Sequence, residues 1–115
     1  MKKKLLLAVL LVLGLFLTAC GSEEKEKTVD DVIKSGNYIV VDVRAKDEYD
    51  TGHVKGALNI PYDTITKDTE LDKDKPILVY CKSGKRSAIA YQKLKDLGYE
   101  VYDLGAYDKV TLEKE

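Results

Sequence analysis

The sequence predicts an α/β fold, with a central parallel sheet and helices on both faces. Three observations carry this expectation. The nearly all-apolar, β-branched run at residues 38–43 and the run at 77–80 read as buried strands, because a strand covered on both faces needs no alternation with polar residues, and residues 101–104 read as a further strand. Segments with helix signals lie between them, the pattern of a sheet built by crossover connections. Turn residues, glycine above all, stand at the joins.

Taken in order, Thr28 caps a first helix whose third residue is Asp31, a capping-box-like start. Val29, Val32 and Ile33 form its short apolar face, and it ends near Ser35-Gly36. The first strand covers residues 38–43, and a helical turn follows at 46–49. Gly52 and Gly56 mark a loop before a second strand at 57–60, stopped by Pro61. Residues 62–75 are polar and mix a helical turn with a loop. A third strand at 77–80 leads through the link 81–86 into a helix over 87–97, with Ala90, Tyr91, Leu94 and Leu97 at helical spacing and Gly98 as its C′ residue. A fourth strand spans 101–104, and residues 106–115 are expected to form a last short helix. There is no internal repeat or low-complexity tract, and 115 residues suffice for one domain.

Composition narrows the function. Twenty acidic residues against 19 basic ones leave no electrostatic footprint for nucleic acid. One histidine, His53, and no CxxC pair give no metal site, and no cofactor is implied. Cys20 and Cys81, the two cysteines, lie far apart in unlike surroundings, so a disulfide framework is not the natural reading. The eight tyrosines read as core and surface residues rather than a binding stripe.

The start of the chain reads as an address. Lys2, Lys3 and Lys4 precede the apolar run 5–17, interrupted only by Gly14. At 13 residues that run suits the core of a signal peptide and is short of the roughly 20 residues of a spanning helix. Leu17-Thr18-Ala19-Cys20 resembles a bacterial lipobox, which implies cleavage before Cys20 and attachment of lipid to that cysteine. The expected organisation is a lipoprotein signal peptide at 1–19, a lipid-anchored polar tether at 20–27 and a folded domain at 28–115. The domain would then stand on the extracytoplasmic side of the cell membrane. Ordinary secretion after Ala19 and an uncleaved anchor are the other readings.

The decisive chemistry falls on Cys81. It ends an expected central strand just before a helix, the place where open parallel sheets bind ligands. The link Cys81-Lys82-Ser83-Gly84-Lys85-Arg86 holds three cations and a glycine. A tight loop of this kind turns backbone N–H groups inward as an anion nest, and the helix N-terminus adds partial positive charge. Each of these effects favours thiolate over thiol, so the Cys81 pKa is expected to fall and the sulfur to act as a nucleophile towards an anion. The competing readings are a structural cysteine and a nucleotide-binding phosphate loop. The first leaves the three cations and the glycine unexplained; the second needs a glycine where Val79 stands.

Several of these residues together resemble the rhodanese family. Asp42-Val43-Arg44, Glu48-Tyr49 and the run from Gly52-His53 to Ile60-Pro61 look like the front half of a rhodanese domain. Tyr80-Cys81-Lys82-Ser83-Gly84-Lys85-Arg86-Ser87 looks like its active-site loop, and Gly98-Tyr99 with Asp103-Leu104-Gly105 like its close. The resemblance implies a rhodanese-like three-layer sandwich and sulfurtransferase chemistry. A Cys81 thiolate would take the outer sulfur of thiosulfate or a related small-molecule donor, and the Cys81 persulfide would pass it to a thiol or to cyanide. Lys82, Ser83, Gly84, Lys85, Arg86 and Ser87 would bind the anion. Rhodanese-fold phosphatases and arsenate reductases resemble one another in a longer loop, with five residues between cysteine and arginine; here four separate Cys81 from Arg86, which suits sulfur better. An anion or sulfane-sulfur carrier without turnover is the alternative, and a redox thiol lacks a resolving cysteine. His53 is expected to be a structural hydrogen-bonder rather than a base, Arg44 and Glu48 to form a local ion pair, and Asp42 to frame the pocket without catalysing.

Overall fold

The computed structural model describes residues 27–115. The segment expected to be a signal peptide, Cys20 and all but the last residue of the expected tether lie outside the described residues. The elements are α1 (Val29–Ser35), β1 (Ile39–Asp42), α2 (Lys46–Asp50), β2 (Leu58–Asn59), a 3-10 turn (Tyr62–Thr64), β3 (Ile77–Cys81), α3 (Lys85–Asp96), β4 (Val101–Ala106) and a second 3-10 turn (Tyr107–Lys109). The strands form one sheet in the order β2-β1-β3-β4, and every pairing is parallel. The expected α/β class and its strand–helix alternation are those found.

Strand geometry sorts the side chains into two cores. Successive residues of a strand point to opposite faces, so Val41, Ile77, Val79 and Cys81 pack with Ala90 and Leu94 of α3, while Val40, Leu78 and Tyr80 pack with Val32 of α1, Val54 and Val110. All five residues of β3 are buried, which is why residues 77–80 show no polar alternation in sequence. The first helix begins as its sequence indicates. Thr28 Oγ1 accepts from the Asp31 N–H, and the Asp31 carboxylate accepts from the Thr28 N–H.

One expectation fails at the C-terminal end. Ala106 closes β4, and residues 107–115 form the short 3-10 turn and then an extended segment, not the expected helix over 106–115. The backbone of the segment is satisfied elsewhere: His53 N–H donates to Glu115 O, Lys55 N–H to Glu113 O and Glu115 N–H to His53 O, around an antiparallel bridge of Val54 and Lys114. Buried Val110 and half-buried Leu112 complete the second core in this extended form.

A buried polar network ties the sheet together where the first and third strands end. Asp42 is fully buried and lies against Arg44, with Arg44 Nε 3.0 Å from both carboxylate oxygens and Nη2 2.6 Å from Oδ2. Tyr80 on β3 donates its hydroxyl to Asp42 Oδ2 at 2.8 Å and accepts the Val54 N–H at 3.0 Å. Arg44 also donates to Gly52 O, and its guanidinium lies 4.5 Å from the centre of the Tyr107 ring. The sequence alone pairs Arg44 with Glu48. The structure gives Arg44 to Asp42 instead, because a carboxylate with no exposure needs its counter-charge in direct contact. Among the described residues no buried side-chain nitrogen or oxygen lacks a partner. Tyr80→Phe would strip one donor from Asp42 and the acceptor from Val54, so it should cost about 1–3 kcal/mol, read as a lower urea midpoint at unchanged slope.

Candidate active site

The alternation along β3 also aims the candidate nucleophile. Cys81 is the last residue of the strand, fully buried on the α3 side at the carboxyl end of the sheet. Only Lys82, Ser83 and Gly84 then separate it from α3, which starts two residues earlier than the sequence suggests. Gly84 is the reason. Its φ of +101° is open to glycine at little cost, and it turns the chain straight into the helix, so Lys85, Arg86 and Ser87 become the first turn. The loop rests against β4, where a bulge opposite Val79 and Tyr80 sets Gly105 beside Gly84.

This turn folds the backbone onto the sulfur. The Gly84 N–H reaches Cys81 Sγ at 2.9 Å. Ser87 Oγ lies 3.6 Å from Sγ and donates to Gly84 O at 3.1 Å. Burial pushes the Cys81 thiol up, but the Ser87 N–H and hydroxyl and the Gly84 and Ser83 N–H groups outweigh it, and the pKa falls below the ordinary thiol value. The sequence reading gives the loop cations a share in this lowering, but the largest contributions are hydrogen bonds from the loop and the helix start. Lys82 and Lys85 are exposed and form no ion pair among the described residues, while Arg86 is half-buried and engaged.

Arg86 is held by Glu48 of α2. Its Nη1 and Nη2 meet Glu48 Oε1 and Oε2 at 2.7 and 3.1 Å, a two-pronged pair, and the Ala45 N–H donates to Oε1 at 3.2 Å. The Arg86 bond is the main cause holding the Glu48 carboxyl down at about 2, against the opposing effect of burial and with help from Ala45. This is the partner Glu48 takes in place of Arg44.

A family model described as a rhodanese-like domain matches residues 26–112. The chain belongs to this family. This rhodanese-like domain is 36% identical over 76 residues to the thiosulfate sulfurtransferase GlpE of Coxiella burnetii, a match covering 64% of this chain and 71% of that protein. It is 33% identical over 76 residues to the adenylyltransferase and sulfurtransferase UBA4 of Meyerozyma guilliermondii, where the match covers 58% of this chain but spans only 18% of the relative's length. A solved structure of a rhodanese with anions from E. coli superposes with a TM-score of 0.61 at 31% identity, over 68% of this chain and 96% of that one. The expected three-layer architecture is therefore that of the family.

Other candidates take lesser places. His53 stacks on Tyr49 with ring centres 3.7 Å apart, and its Nδ1 and Nε2 contact Tyr49 O and Glu115 Oε1, so it fastens the C-terminal segment to the loop after α2. Asp42 and Arg44 are absorbed in the buried network. A concavity of about 660 Å³ runs along β4 between Val29, Tyr91, Lys95 and Tyr99, and neither Cys81 nor any loop residue lines it. Among the described residues no cluster of His, Cys, Asp and Glu is placed to hold a metal ion. Sequence reasoning missed the Glu48–Arg86 pair and the Tyr80 hydroxyl's part in the network; Glu48 and Arg86, like Asp42 and Tyr80, stand 38 residues apart, so no local spacing signals either contact.

The loop geometry and the Glu48 pair each lead to a measurable outcome. Alkylation of Cys81 against pH should give a midpoint below the roughly 8.5 of a free cysteine, and Gly84→Ala, which strains the turn and displaces its N–H, should raise it. Because the Glu48 pKa is depressed on folding, its ion pair contributes stability that is full above the ordinary carboxyl value of 4.5 and is lost as pH falls towards about 2. Glu48→Gln should therefore lower the urea-derived stability by about 1 kcal/mol at pH 7, discounted for partial exposure, and the gap to the parent should close in acid.

Proposed function

We propose that this rhodanese-like domain is a sulfurtransferase that moves sulfane sulfur from thiosulfate or a related anion to a thiol or cyanide through a Cys81 persulfide. The observation that carries this reading is the buried Cys81 sulfur with the Gly84 N–H at 2.9 Å and Ser87 beside it. The likeness to a thiosulfate sulfurtransferase of Coxiella burnetii and to an E. coli rhodanese solved with anions supports it.

In the first half-reaction the Cys81 thiolate attacks the outer sulfur of thiosulfate. A Cys81 S–S bond forms, the S–S bond of thiosulfate breaks, and sulfite leaves with the electron pair. The terminal sulfur of the persulfide carries the negative charge, and the N–H groups of Ser83, Gly84 and Ser87 with the Ser87 hydroxyl stabilise it. Lys82 and Lys85 at the rim attract the donor, and Arg86 frames the helix side. In the second half-reaction an acceptor thiolate or cyanide attacks the terminal sulfur. It leaves as an acceptor persulfide or thiocyanate, and the Cys81 thiolate returns with the bonding pair, so no external oxidant or reductant is needed. By its lipobox-like start, the protein works on the extracytoplasmic side of the cell membrane, held by lipid on Cys20.

The test is the intact mass of the purified protein after thiosulfate. A gain of roughly 32 Da, one sulfur, mapping to Cys81 and removed by cyanide, is expected, as is its loss in Cys81→Ser at unchanged circular dichroism. No gain in a folded protein would sink the persulfide reading. A gain without turnover on added thiol or cyanide would replace the enzyme with a sulfur carrier. Cys20→Ser should release the protein from membranes and abolish lipid labelling; unchanged retention would overturn the anchor.

A further inference from the structure

Glu48 links the helix after β1 to the helix that carries the sulfur site. It belongs to α2, its carboxylate is fixed from its own side by the Ala45 N–H, and it grips Arg86 in the first turn of α3. Arg86 immediately precedes Ser87, whose Oγ lies 3.6 Å from the Cys81 sulfur. Of the three cations in the loop, Lys82 and Lys85 reach into solvent without an ion pair among the described residues, and Arg86 is the one held in place.

We propose that Glu48 is a positioning residue that limits how much of the Arg86 charge acts on Cys81 and on an incoming anion, and so sets the balance between loading and unloading the sulfur. The inference deepens the sulfurtransferase reading, and its kinetic consequence rests on that reading. A guanidinium clasped two-pronged by a carboxylate presents a dipole rather than a full charge, and its field falls off more steeply. The sulfur is then stabilised chiefly by neutral N–H groups, enough for a thiolate or persulfide of single charge. A free guanidinium one residue from Ser87 would bind a doubly charged donor more tightly. It would also hold the persulfide more tightly and so slow its transfer to the acceptor. Arg86 and the Cys81 thiolate do feel each other electrostatically, since the thiolate helps raise the Arg86 pKa after the larger effect of Glu48.

The experiment compares Glu48→Gln, Arg86→Gln and the double variant in the full-length protein, with iodoacetamide alkylation of Cys81 against pH as the first readout. Glu48→Gln should lower the midpoint by about half a unit, the size of effect of one partly exposed charge. Arg86→Gln, which leaves the Glu48 carboxylate bare, should raise it, and the double variant should return towards the parent. An unmoved or raised midpoint in Glu48→Gln overturns the proposal, as does a double variant that behaves like Arg86→Gln. If Glu48→Gln does not fold, the Arg86→Gln midpoint decides, and no rise there overturns it. In turnover with thiosulfate and a thiol, Glu48→Gln should lower KM for thiosulfate and kcat together, each by roughly two- to fivefold; a loss of kcat at unchanged KM would indicate a merely structural residue. A parent protein that transfers no sulfur would count against the sulfurtransferase reading alone, because the alkylation midpoints need no sulfur transfer.

Discussion

The fully buried carboxylate of Asp42 is the constraint around which the carboxyl end of the sheet is organised. A charge out of reach of water has to collect its partners from the surrounding chain. Asp42 draws Arg44 from the loop after its own strand and the Tyr80 hydroxyl from the neighbouring strand, and through them the backbone of Gly52 and Val54. Tyr80 cannot turn without unsettling Cys81, its neighbour on the same strand, because alternation commits the two side chains to opposite faces. The network on one side of the sheet thus fixes the backbone from which the sulfur is presented on the other.

The loop after β3 depends on that fixed backbone. With β3 anchored, three residues and a left-handed glycine suffice to bend the chain over Cys81 and start α3. Burial opposes a thiolate there, and the converging N–H groups and Ser87 hydroxyl more than offset it. The sulfur is excluded from bulk water and still electronically prepared, a combination that side-chain cations at the surface would not provide.

Much of this was legible in the sequence. Residues 77–80 announced a doubly covered strand, Thr28 and Asp31 announced the first helix, and Gly98 marked the close of α3, because each is a local rule acting over a few residues. The position of Cys81 at the end of a central strand was legible for the same reason. The long-range pairings were not. Arg44 and Glu48 sit four residues apart and look like natural partners, yet Arg44 turns back to the buried Asp42 beside it, and Glu48 takes Arg86, which the fold brings from 38 residues away. The tail is expected to be a helix, while the pairing with His53 and Lys55 that makes it extended comes from about sixty residues earlier. The start of α3 falls two residues ahead of its expected place because the sequence alone does not show that Gly84 takes the left-handed turn.

The division of labour in the Cys81 loop carries a consequence for how such a site can change. The groups that lower the Cys81 pKa are mostly main-chain amides, which every residue except proline supplies. The side chains of Lys82, Ser83 and Lys85 point outward and are spared that duty. Reactivity and recognition are therefore written in separate parts of the same short loop. The outward positions are free to be rewritten for a different small molecule or docking partner while the thiol beneath them keeps its character.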